Sequence, residues 1–525
     1  MNVNSTRKKI NLFITFLVVL VNIGIQAQSI ITAKIVDNKQ QPLSGATVQL
    51  ITENKAIATD KQGGFLFQVP KGIYSVKISY LGFQSITQKI STEVSDLVIT
   101  LLPEENALDE VLVSSIRAKE NTPVTFSNLS KEEIAKRNLG QDIPSLINYL
   151  PSVVSSSDAG AGIGYTYLRV RGSDETRINV TINGIPYNDA ESQGTFWVNI
   201  GDFASSTENL QLQRGVGTST NGAGAFGASL NILTNAISQE ASGEISNSLG
   251  SFGTRKHTVK YSTGLLNEHF EIAGRLSNIY SDGYIDRAFT DLKSYYLQGS
   301  YIDDNTLIKA ITFGGTEQTY QSWFGVTTEE LEEDRRQNFY TYDNETDNYQ
   351  QDHYQLHWNE KINNNWSTNI GLNYTKGQGF FEQFREEETA EDFDNLIIEG
   401  SDVIVRRWLD NDFYVANASL TYSNNLMEII GGVSYSNYTN DHFGEVIWGS
   451  ELAPEVNIRD RYYFSDSEKS DHSSFIKANF RILGNLSGYA DLQTRIVHYK
   501  TAGLTSDRDE INVNKRFNFF NPKAG

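Results

Sequence analysis

From about Gly243 to the end of this 525-residue chain, apolar and polar side chains alternate along one extended run after another. In one of these runs, Phe270 and Ile272 flank Glu271. Further runs of this kind occupy residues 354–359, 369–374 and 476–482. Successive side chains of a strand point to opposite faces of the sheet. The alternation therefore predicts many strands, each with one apolar and one polar face.

The connections between these runs alternate between short and long. Short turns are expected at 266–267, 303–305, 363–365, 424–425 and 484–485, and long loops at 317–351, 376–412, 439–471 and 501–516. Transmembrane barrels have short turns at one end, long loops at the other, and aromatic girdles at both membrane interfaces. Many runs here begin or end in Tyr, Trp or Phe. We therefore predict a mainly β fold with a transmembrane antiparallel β-barrel over 237–525, and keep a soluble β-sandwich as the alternative.

About twelve strands are predicted, the last beginning near Asn518 and continuing to Gly525. An outer-membrane barrel closes on its first strand, because an open edge in lipid leaves backbone donors and acceptors unpaired. We therefore expect the barrel to be truncated in this sequence, with strands that are supplied otherwise as the alternative.

Charge and composition exclude several classes of function. The chain has 64 acidic and 44 basic side chains, a formal net charge of −20, which argues against nucleic acid as a partner. It contains no cysteine, which excludes disulfides, thiolate metal sites and cysteine nucleophiles. No nucleophile with a paired histidine and aspartate emerges, so we predict no catalytic residues, no cofactor and no enzyme.

The first 27 residues are predicted to be a secretory signal peptide. Arg7, Lys8 and Lys9 precede an apolar run over 10–25, and Ala27 offers a small residue for cleavage. An uncleaved anchor helix is the alternative, although the run is short for one. No later stretch of 18 apolar residues exists, so any membrane crossing must be made of strands.

Residues 28–103 show short alternating strands separated by turn residues, which predicts a small β-sandwich. Three segments carry a more specific signal, "VDNKQQPLSGATV", "ATDKQGGF" and "GIYSVKISYLGF". In this order they resemble the carboxypeptidase-regulatory-like domain. The segment contains no histidine, and the resemblance implies no catalytic activity.

Residues 120–236 are predicted to form a compact α/β unit rich in glycine. Ser130 and Glu133 have the spacing of a capping box, and a second short helix is expected over 141–150. Strands are expected at 167–171, 178–182, 209–213 and 229–234.

Three blocks in this unit are "LGQDIPSLINYLPSV", "YLRVRGSDETRINVTINGIPYND" and "LQLQRGVGTSTNGAGAFGASLNILT". They resemble the plug domain of TonB-dependent outer-membrane receptors. The resemblance implies a barrel in outer-membrane lipid, filled by the plug and preceded by the small sandwich. It also implies a partnership with TonB, which acts with ExbB and ExbD of the inner membrane to relay the proton-motive force.

The linker at 104–119 contains the predicted coupling segment, which consists of Asp109, Glu110, Val111, Leu112 and Val113. A flexible segment with one extended apolar patch is suited to adding a strand to a partner's sheet. A plain linker or a last strand of the sandwich are the alternatives. The resemblance implies that this segment is the TonB box.

Seven plug residues are expected to lock the plug in place: Arg169, Arg171, Gly172, Asn183, Gly184, Arg214 and Gly215. The arginines are expected to pair with carboxylates of the barrel lumen such as Glu271, with a solvated strand face as the alternative. The glycines permit tight turns at strand ends.

Five aromatic residues near glycine-rich or polar turns are the candidates for ligand binding: Tyr165, Tyr167, Tyr187, Phe196 and Trp197. Packing of the plug against the barrel is the alternative. His353 and His357 share one face of a strand and lack the glutamate of a zinc-protease motif, so no metal site is predicted. The glycine-rich segment 222–227 leads into a strand, so it is not predicted to bind a dinucleotide.

The resemblance favours active import of a ferric siderophore or another iron complex. Import of cobalamin or of a glycan by a SusC-like receptor is the alternative within the family. A passive porin or a surface adhesin is the alternative from another class, and it would not need the segment around Val111.

Overall fold

The computed structural model describes residues 28–37, 40–51, 55–80, 83–94, 97–101, 117–118, 122, 124–221, 226–424, 426–483 and 486–525. The chain divides into two compact units, Met1–Ala107 and Leu108–Gly525. Among the residues in these ranges, no helix has both the length and the apolar character needed to cross a membrane. The predicted signal peptide and the predicted coupling segment Asp109 to Val113 lie outside the described residues.

The first unit is a small sandwich of two sheets. Its strands are β1 (Gln28–Val36), β2 (Thr47–Leu50), β3 (Lys55–Ala58), β4 (Gly64–Pro70), β5 (Ile73–Tyr80), β6 (Phe83–Ser91) and β7 (Leu97–Thr100). The sheets have the orders β4-β1-β7 and β3-β2-β5-β6. Ile35, Phe67, Val48 and Ile78, which come from both sheets, pack in one buried core.

A tight turn between β3 and β4 depends on Asp60 and Gly63. The Asp60 carboxylate accepts hydrogen bonds from the backbone N–H of Gln62 (2.9 Å) and of Gly64 (2.8 Å). Gly63 has a φ of +75°, and a Cβ at this position would lie 2.3 Å from the carbonyl oxygen of Ile35. Only glycine fits here, because the backbone is in the left-handed region and a neighbouring strand is in contact.

The second unit begins with the predicted α/β domain, called the plug here (residues 124–236). Its elements are β8 (Thr125–Ser130), α1 (Lys131–Ala135), α2 (Ile143–Leu146), β9 (Val153–Ser157), β10 (Thr166–Val170), β11 (Ile178–Ile182), β12 (Ile185–Pro186), β13 (Thr207–Arg214) and β14 (Ala228–Thr234). Single turns of 3-10 helix occur at Glu175–Arg177, Trp197–Ile200, Phe203–Ser206 and Ser219–Asn221. The main sheet has the order β12-β11-β14-β13-β8.

Local sequence signals predicted the start of α1 correctly but overestimated the length of α2. Ser130 caps α1, and Glu133 bonds back to the backbone of Ser130, which confirms the capping box. The helix expected over 141–150 is a single turn, Ile143–Leu146. A helix this short is marginal alone, and it is held by the packing of Ile143 and Leu146 in the plug core.

The rest of the chain forms one antiparallel sheet of twelve strands, as predicted from the alternation. The strands are β15 (Ser242–Leu249), β16 (Arg255–Ser262), β17 (Phe270–Ser281), β18 (Thr290–Ile302), β19 (Thr306–Tyr320), β20 (Thr346–Lys361), β21 (Trp366–Glu388), β22 (Ser401–Ser423), β23 (Met427–Gly449), β24 (Arg461–Leu483), β25 (Leu486–Leu504) and β26 (Glu510–Ala524). Each pairs with the next in sequence. A helix α3 (Thr328–Glu333) and a 3-10 turn at Glu391–Phe393 lie in the connections.

The long loops are shorter than the sequence predicted. The connections span 321–345, 389–400, 450–460 and 505–509, and the last strand begins at Glu510 rather than near Asn518. The strands continue into segments with no clean apolar alternation, because backbone pairing does not require it. Strands of 23 residues such as β21 exceed the 9 to 11 residues that cross a bilayer.

The sheet carries its apolar side chains outward and its polar side chains toward the plug. In β17, Phe270, Ile272 and Leu276 are half or more exposed, whereas Glu271 and Arg275 are buried. A soluble sheet has the opposite arrangement, and a sheet facing lipid has this one. The plug contacts strands from β16 to β26, so the sheet curves around it.

Candidate functional site

A cavity of about 270 Å³ lies between the plug and the half of the sheet nearer the long connections. We call it the loop-end cavity. The plug lines it with Tyr165, Tyr187, Asp189, Glu191 and Phe196, among others, and the sheet with residues of β19 to β23 that include Glu317, Asp347, His353, Arg407 and His442. Aromatic and apolar side chains with a few polar groups are typical of a pocket for a small ligand.

Three of the five aromatic candidates line this cavity, namely Tyr165, Tyr187 and Phe196. Tyr167 does not, and its hydroxyl donates a 2.8 Å hydrogen bond to Asp158 within the plug. Trp197 is only 3% exposed and packs in the core that the plug shares with the sheet. For Trp197, the structure therefore matches the alternative of plug-to-barrel packing.

Tyr165 connects the plug to the sheet inside the cavity. Its hydroxyl donates a hydrogen bond to Asp347, and its ring meets the rings of Trp323 at 5.5 Å and Phe196 at 6.4 Å, both edge to face. Burial raises the pKa of Tyr165 well above its ordinary value, and the nearby carboxylates of Asp347 and Glu317 raise it further. The hydroxyl is therefore a neutral donor.

Two carboxylates, those of Asp189 and Glu191, hold the plug loop 187–194 in place. Asp189 accepts hydrogen bonds from the backbone N–H of Glu191 (3.1 Å) and Ser192 (2.6 Å). Glu191 reaches the sheet and bonds to Asn440 (2.8 Å) and to Nε2 of His442 (2.9 Å). Burial alone would raise the pKa of Glu191, but the bond and charge of His442 outweigh it and lower the pKa to about 2.

A second cavity of about 130 Å³, the turn-end cavity, lies in the half of the sheet nearer the short turns. It shares Pro186, Asn188, Asp189, Ala190 and Tyr438 with the loop-end cavity. The plug loop 187–194 therefore forms part of the boundary between the two spaces.

A buried cluster of charged side chains around Asp202 ties the plug to the sheet. Its carboxylate lies 2.6 Å from Nζ of Lys256 and 3.5 Å from the guanidinium of Arg275, and all three side chains are at most 2% exposed. Thr258 and Ser277 each donate a 2.7 Å hydrogen bond to it. Burial tends to raise the pKa of Asp202, but Arg275 and Lys256 hold it well below its ordinary value.

Other plug turns are tied to the sheet through neutral groups. Asn183 and Gly184 form the turn between β11 and β12 with φ of 54° and 79°, the pattern of a type I′ hairpin. The amide of Asn183 donates to Gln355 (3.1 Å), and Asn417 donates to the carbonyl of Gly184 (3.1 Å). Gly172 and Gly215 also have positive φ, of 77° and 92°.

The predicted pairing of plug arginines with Glu271 is wrong. Arg214 donates to Ser127 and to the carbonyl of Pro151, both inside the plug, at 2.9 Å. Glu271 accepts instead from Ser262 (2.7 Å). Arg169 and Arg171 are exposed.

Sequence reasoning missed the Asp202 cluster because it expected cations on the plug and carboxylates on the strands. In this cluster the carboxylate belongs to the plug and the cations belong to the strands. The alternation marked Arg275 as facing inward, but nothing local identified its partner.

The two strand histidines are both buried on the same face of β20, as expected, with Gln355 between them. His353 stacks on Phe313 at 4.5 Å and bonds to Thr375 (2.8 Å), and His357 bonds to Gln355 (3.2 Å). Within the part of the chain that the structure describes, no group of three or more metal-ligating side chains could hold a metal ion. Of the glycine-rich segment, 222–225 lie outside that part, and strand β14 follows it.

Two family models match the chain. Residues 31–113 match the CarboxypepD_reg-like domain, and residues 118–229 match the TonB-dependent Receptor Plug Domain. No curated protein matches it.

Solved structures of similar fold include the ferric yersiniabactin uptake receptor FyuA from Yersinia pestis, with 11% identity, a TM-score of 0.59, and 78% of this chain and 63% of that chain covered. The open form of the ferric-catecholate import receptor Fiu from E. coli K12 has 13% identity and a TM-score of 0.59, with 77% and 67% covered. The copper transporter OprC has 12% identity and a TM-score of 0.58, with 78% and 60% covered.

The chain thus spans about 60 to 67% of the length of these structures, and at these identities the likeness concerns the fold. The regulatory-like and plug matches stand in the order expected from the sequence, ahead of the twelve-stranded sheet. The chain therefore carries a CarboxypepD_reg-like domain followed by a TonB-dependent receptor plug domain.

Proposed function

We propose that this protein is an active importer of the outer membrane that takes up a bulky, scarce ligand, in the first place a ferric siderophore or another iron complex. The observation that carries the proposal is the loop-end cavity, where plug and sheet residues meet around an aromatic surface. Three of the solved structures with this fold are described as a ferric yersiniabactin receptor, a ferric-catecholate receptor and a copper transporter. The plug domain is also the reason that we propose a transporter and not an enzyme.

Energy for uptake is proposed to come from TonB, with ExbB and ExbD of the inner membrane. The coupling segment is proposed to be Asp109 to Val113, which follows the regulatory-like domain and precedes the plug. A ligand in the loop-end cavity contacts the plug loop 187–194, so binding and movement of the plug are mechanically linked. The outward apolar face of the sheet supports placement in outer-membrane lipid, after export with a cleaved signal peptide.

The test is uptake of labelled ferric siderophores by cells that produce either the intact protein or a variant lacking residues 109–113. We expect the deletion to abolish uptake while binding at the cell surface is retained. Equal uptake by both proteins would favour a passive channel. If no iron complex binds or enters, the ligand assignment fails, and cobalamin and glycans are tested next.

A further inference from the structure

The loop-end cavity has an excess of negative charge. Its lining contains four carboxyl side chains and, within the described residues, the guanidinium of Arg407 and the imidazole of His442, which is paired with Glu191. The Nε–H of Arg407 donates a 3.3 Å hydrogen bond to the hydroxyl oxygen of Tyr462. An anionic ligand would therefore meet a repulsive field on entry, and a cationic ligand an attractive one.

Two of the four carboxylates already have structural partners. Asp189 accepts backbone N–H groups of its own loop, and Glu191 is bonded to Asn440 and His442. These two groups hold the plug loop in place. The carboxyl groups that are available to a ligand are therefore the other two, Glu317 and Asp347.

Glu317 and Asp347 face the cavity from neighbouring strands. In the β19–β20 register, Glu317 lies opposite Tyr349, and Asp347 lies opposite Thr319, so the two carboxylates are diagonal neighbours on one face. Both are more than nine-tenths buried, at 5% and 8% exposed. No ion pair joins either of them to a lysine or arginine of the described chain.

Glu317 has an unused acceptor. Its Oε2 is buried and has no hydrogen-bond partner among the residues that the structure describes. Asp347 accepts hydrogen bonds from the hydroxyl of Tyr165 and from the backbone N–H of Asn348. Two buried carboxylates side by side without a cation are unfavourable, and a donor with positive charge relieves both the repulsion and the unmet hydrogen bond.

The surroundings of this pair suit an ammonium group. Tyr165 and Tyr187 of the plug border the same cavity, and aromatic faces attract a cation. Phe381, Leu409 and Phe413 of the sheet also line the cavity and offer an apolar surface for the rest of a bulky ligand.

We infer that the ligand of the loop-end cavity is cationic and carries an ammonium group that binds between Glu317 and Asp347. The inference rests on the proposed function and narrows it, since it favours an iron complex with a free amine over the anionic catecholate and carboxylate chelates. The ammonium donates to Oε2 of Glu317 and to the Asp347 carboxylate, while the hydroxyl of Tyr165 keeps its bond to Asp347.

The test compares two iron complexes that differ by one charge. The first is the ferric complex of a linear trihydroxamate with a free primary amine, and the second is the same complex with the amine acetylated. A ferric tricatecholate serves as the anionic probe. We expect the purified full chain to bind the amine complex at least about tenfold more tightly than the acetylated one, the size of one charge-assisted hydrogen bond.

The variants Glu317→Gln and Asp347→Asn, alone and together, assign the preference to this pair. We expect the double variant to bind both trihydroxamate complexes with nearly equal affinity. Retained binding of the acetylated complex shows that the cavity is still folded. The matched control is Glu332→Gln on the exposed helix α3, which removes the same charge outside the cavity and should leave the preference unchanged.

Several results would overturn the inference: no binding of the amine complex, equal affinity for the two trihydroxamates, an unchanged preference in the double variant, or tighter binding of the tricatecholate. The import proposal is tested separately by uptake. If the amine complex binds with the expected preference and does not enter cells, import fails and the charge inference stands. If complexes of every charge enter equally, import stands and the charge inference fails.

Discussion

Replacing Asp202 by asparagine should loosen the plug far more than removal of any exposed charge. The variant leaves Lys256 and Arg275 buried without their counterion, since both side chains are 2% exposed. Breaking a buried pair in this way costs about 3 to 5 kcal/mol. At roughly 1.4 kcal/mol per factor of ten, opening of the plug should become on the order of 10²- to 10³-fold more frequent.

Hydrogen exchange of plug backbone amides measures this opening directly, because exchange follows local unfolding. The amides of β13 and β14 should exchange faster in Asp202→Asn. The control is Glu208→Gln, which removes an exposed ion pair with Lys131 at 3.0 Å and should change exchange by less than about tenfold. A second change, Lys256→Met, should restore part of the protection by removing an unpaired charge.

The contribution of Asp202 to the stability of the plug should depend on pH. The pKa of Asp202 is lowered in the folded protein, so its stabilisation is present above the unfolded value of about 3.9 and is lost as the pH falls toward the folded value. Asp202→Asn should remove this dependence. Exchange in the variant within about threefold of the parent protein, or a further loss of protection in the double variant, would refute the reasoning.

Three further changes test other parts of the fold. Gly63→Ala should destabilise the regulatory-like unit by at least about 2 kcal/mol, which is measured as faster amide exchange at β1. Gly72→Ala is the control and should not have this effect, because a Cβ there meets only ordinary contacts at 3.5 Å. Equal effects of the two changes would contradict the role given to the turn. Glu191→Gln should speed amide exchange in the loop 187–194. In the parent protein, the protection of these amides should fall between pH 4.5 and about 2, because the pKa of Glu191 is lowered to about 2. Amide exchange that neither the variant nor the pH changes would refute the role of Glu191 in holding the loop. Tyr165→Phe should lower the stability of the plug in thermal unfolding by about 1 to 3 kcal/mol, because Asp347 loses the hydrogen bond from the tyrosine hydroxyl. A change below about 0.5 kcal/mol would refute this contribution.

Features set by neighbouring residues could be predicted from the sequence. The capping box at Ser130 and the strand Ile178–Ile182 depend on spacing within a few residues, and both occur as predicted. The twelve strands follow from side-chain alternation, with apolar side chains on the outward face and polar side chains toward the plug.

Features set by distant residues could not be predicted in the same way. Glu317 and Asp347 were assigned to a long loop, because the strands β19 and β20 continue past the point where apolar alternation stops. The neighbours Phe196 and Trp197 belong to the same aromatic pair in the sequence, yet the first lines the cavity and the second lies in the core. Their separation is decided by the 3-10 turn that begins at Trp197, which the sequence did not reveal.

The many ties between the plug and the sheet set an order for folding. Asp202 reaches Thr258 across 56 positions in the chain, whereas Ser219 reaches Asp491 across 272 and Gly217 reaches Lys523 across 306. Closing a longer loop costs more entropy, and contacts between distant residues form late. The Asp202 cluster is therefore expected to form first and to hold the plug as a template, on which the following strands add in sequence, so that the ties of Ser219 and then of Gly217 form later.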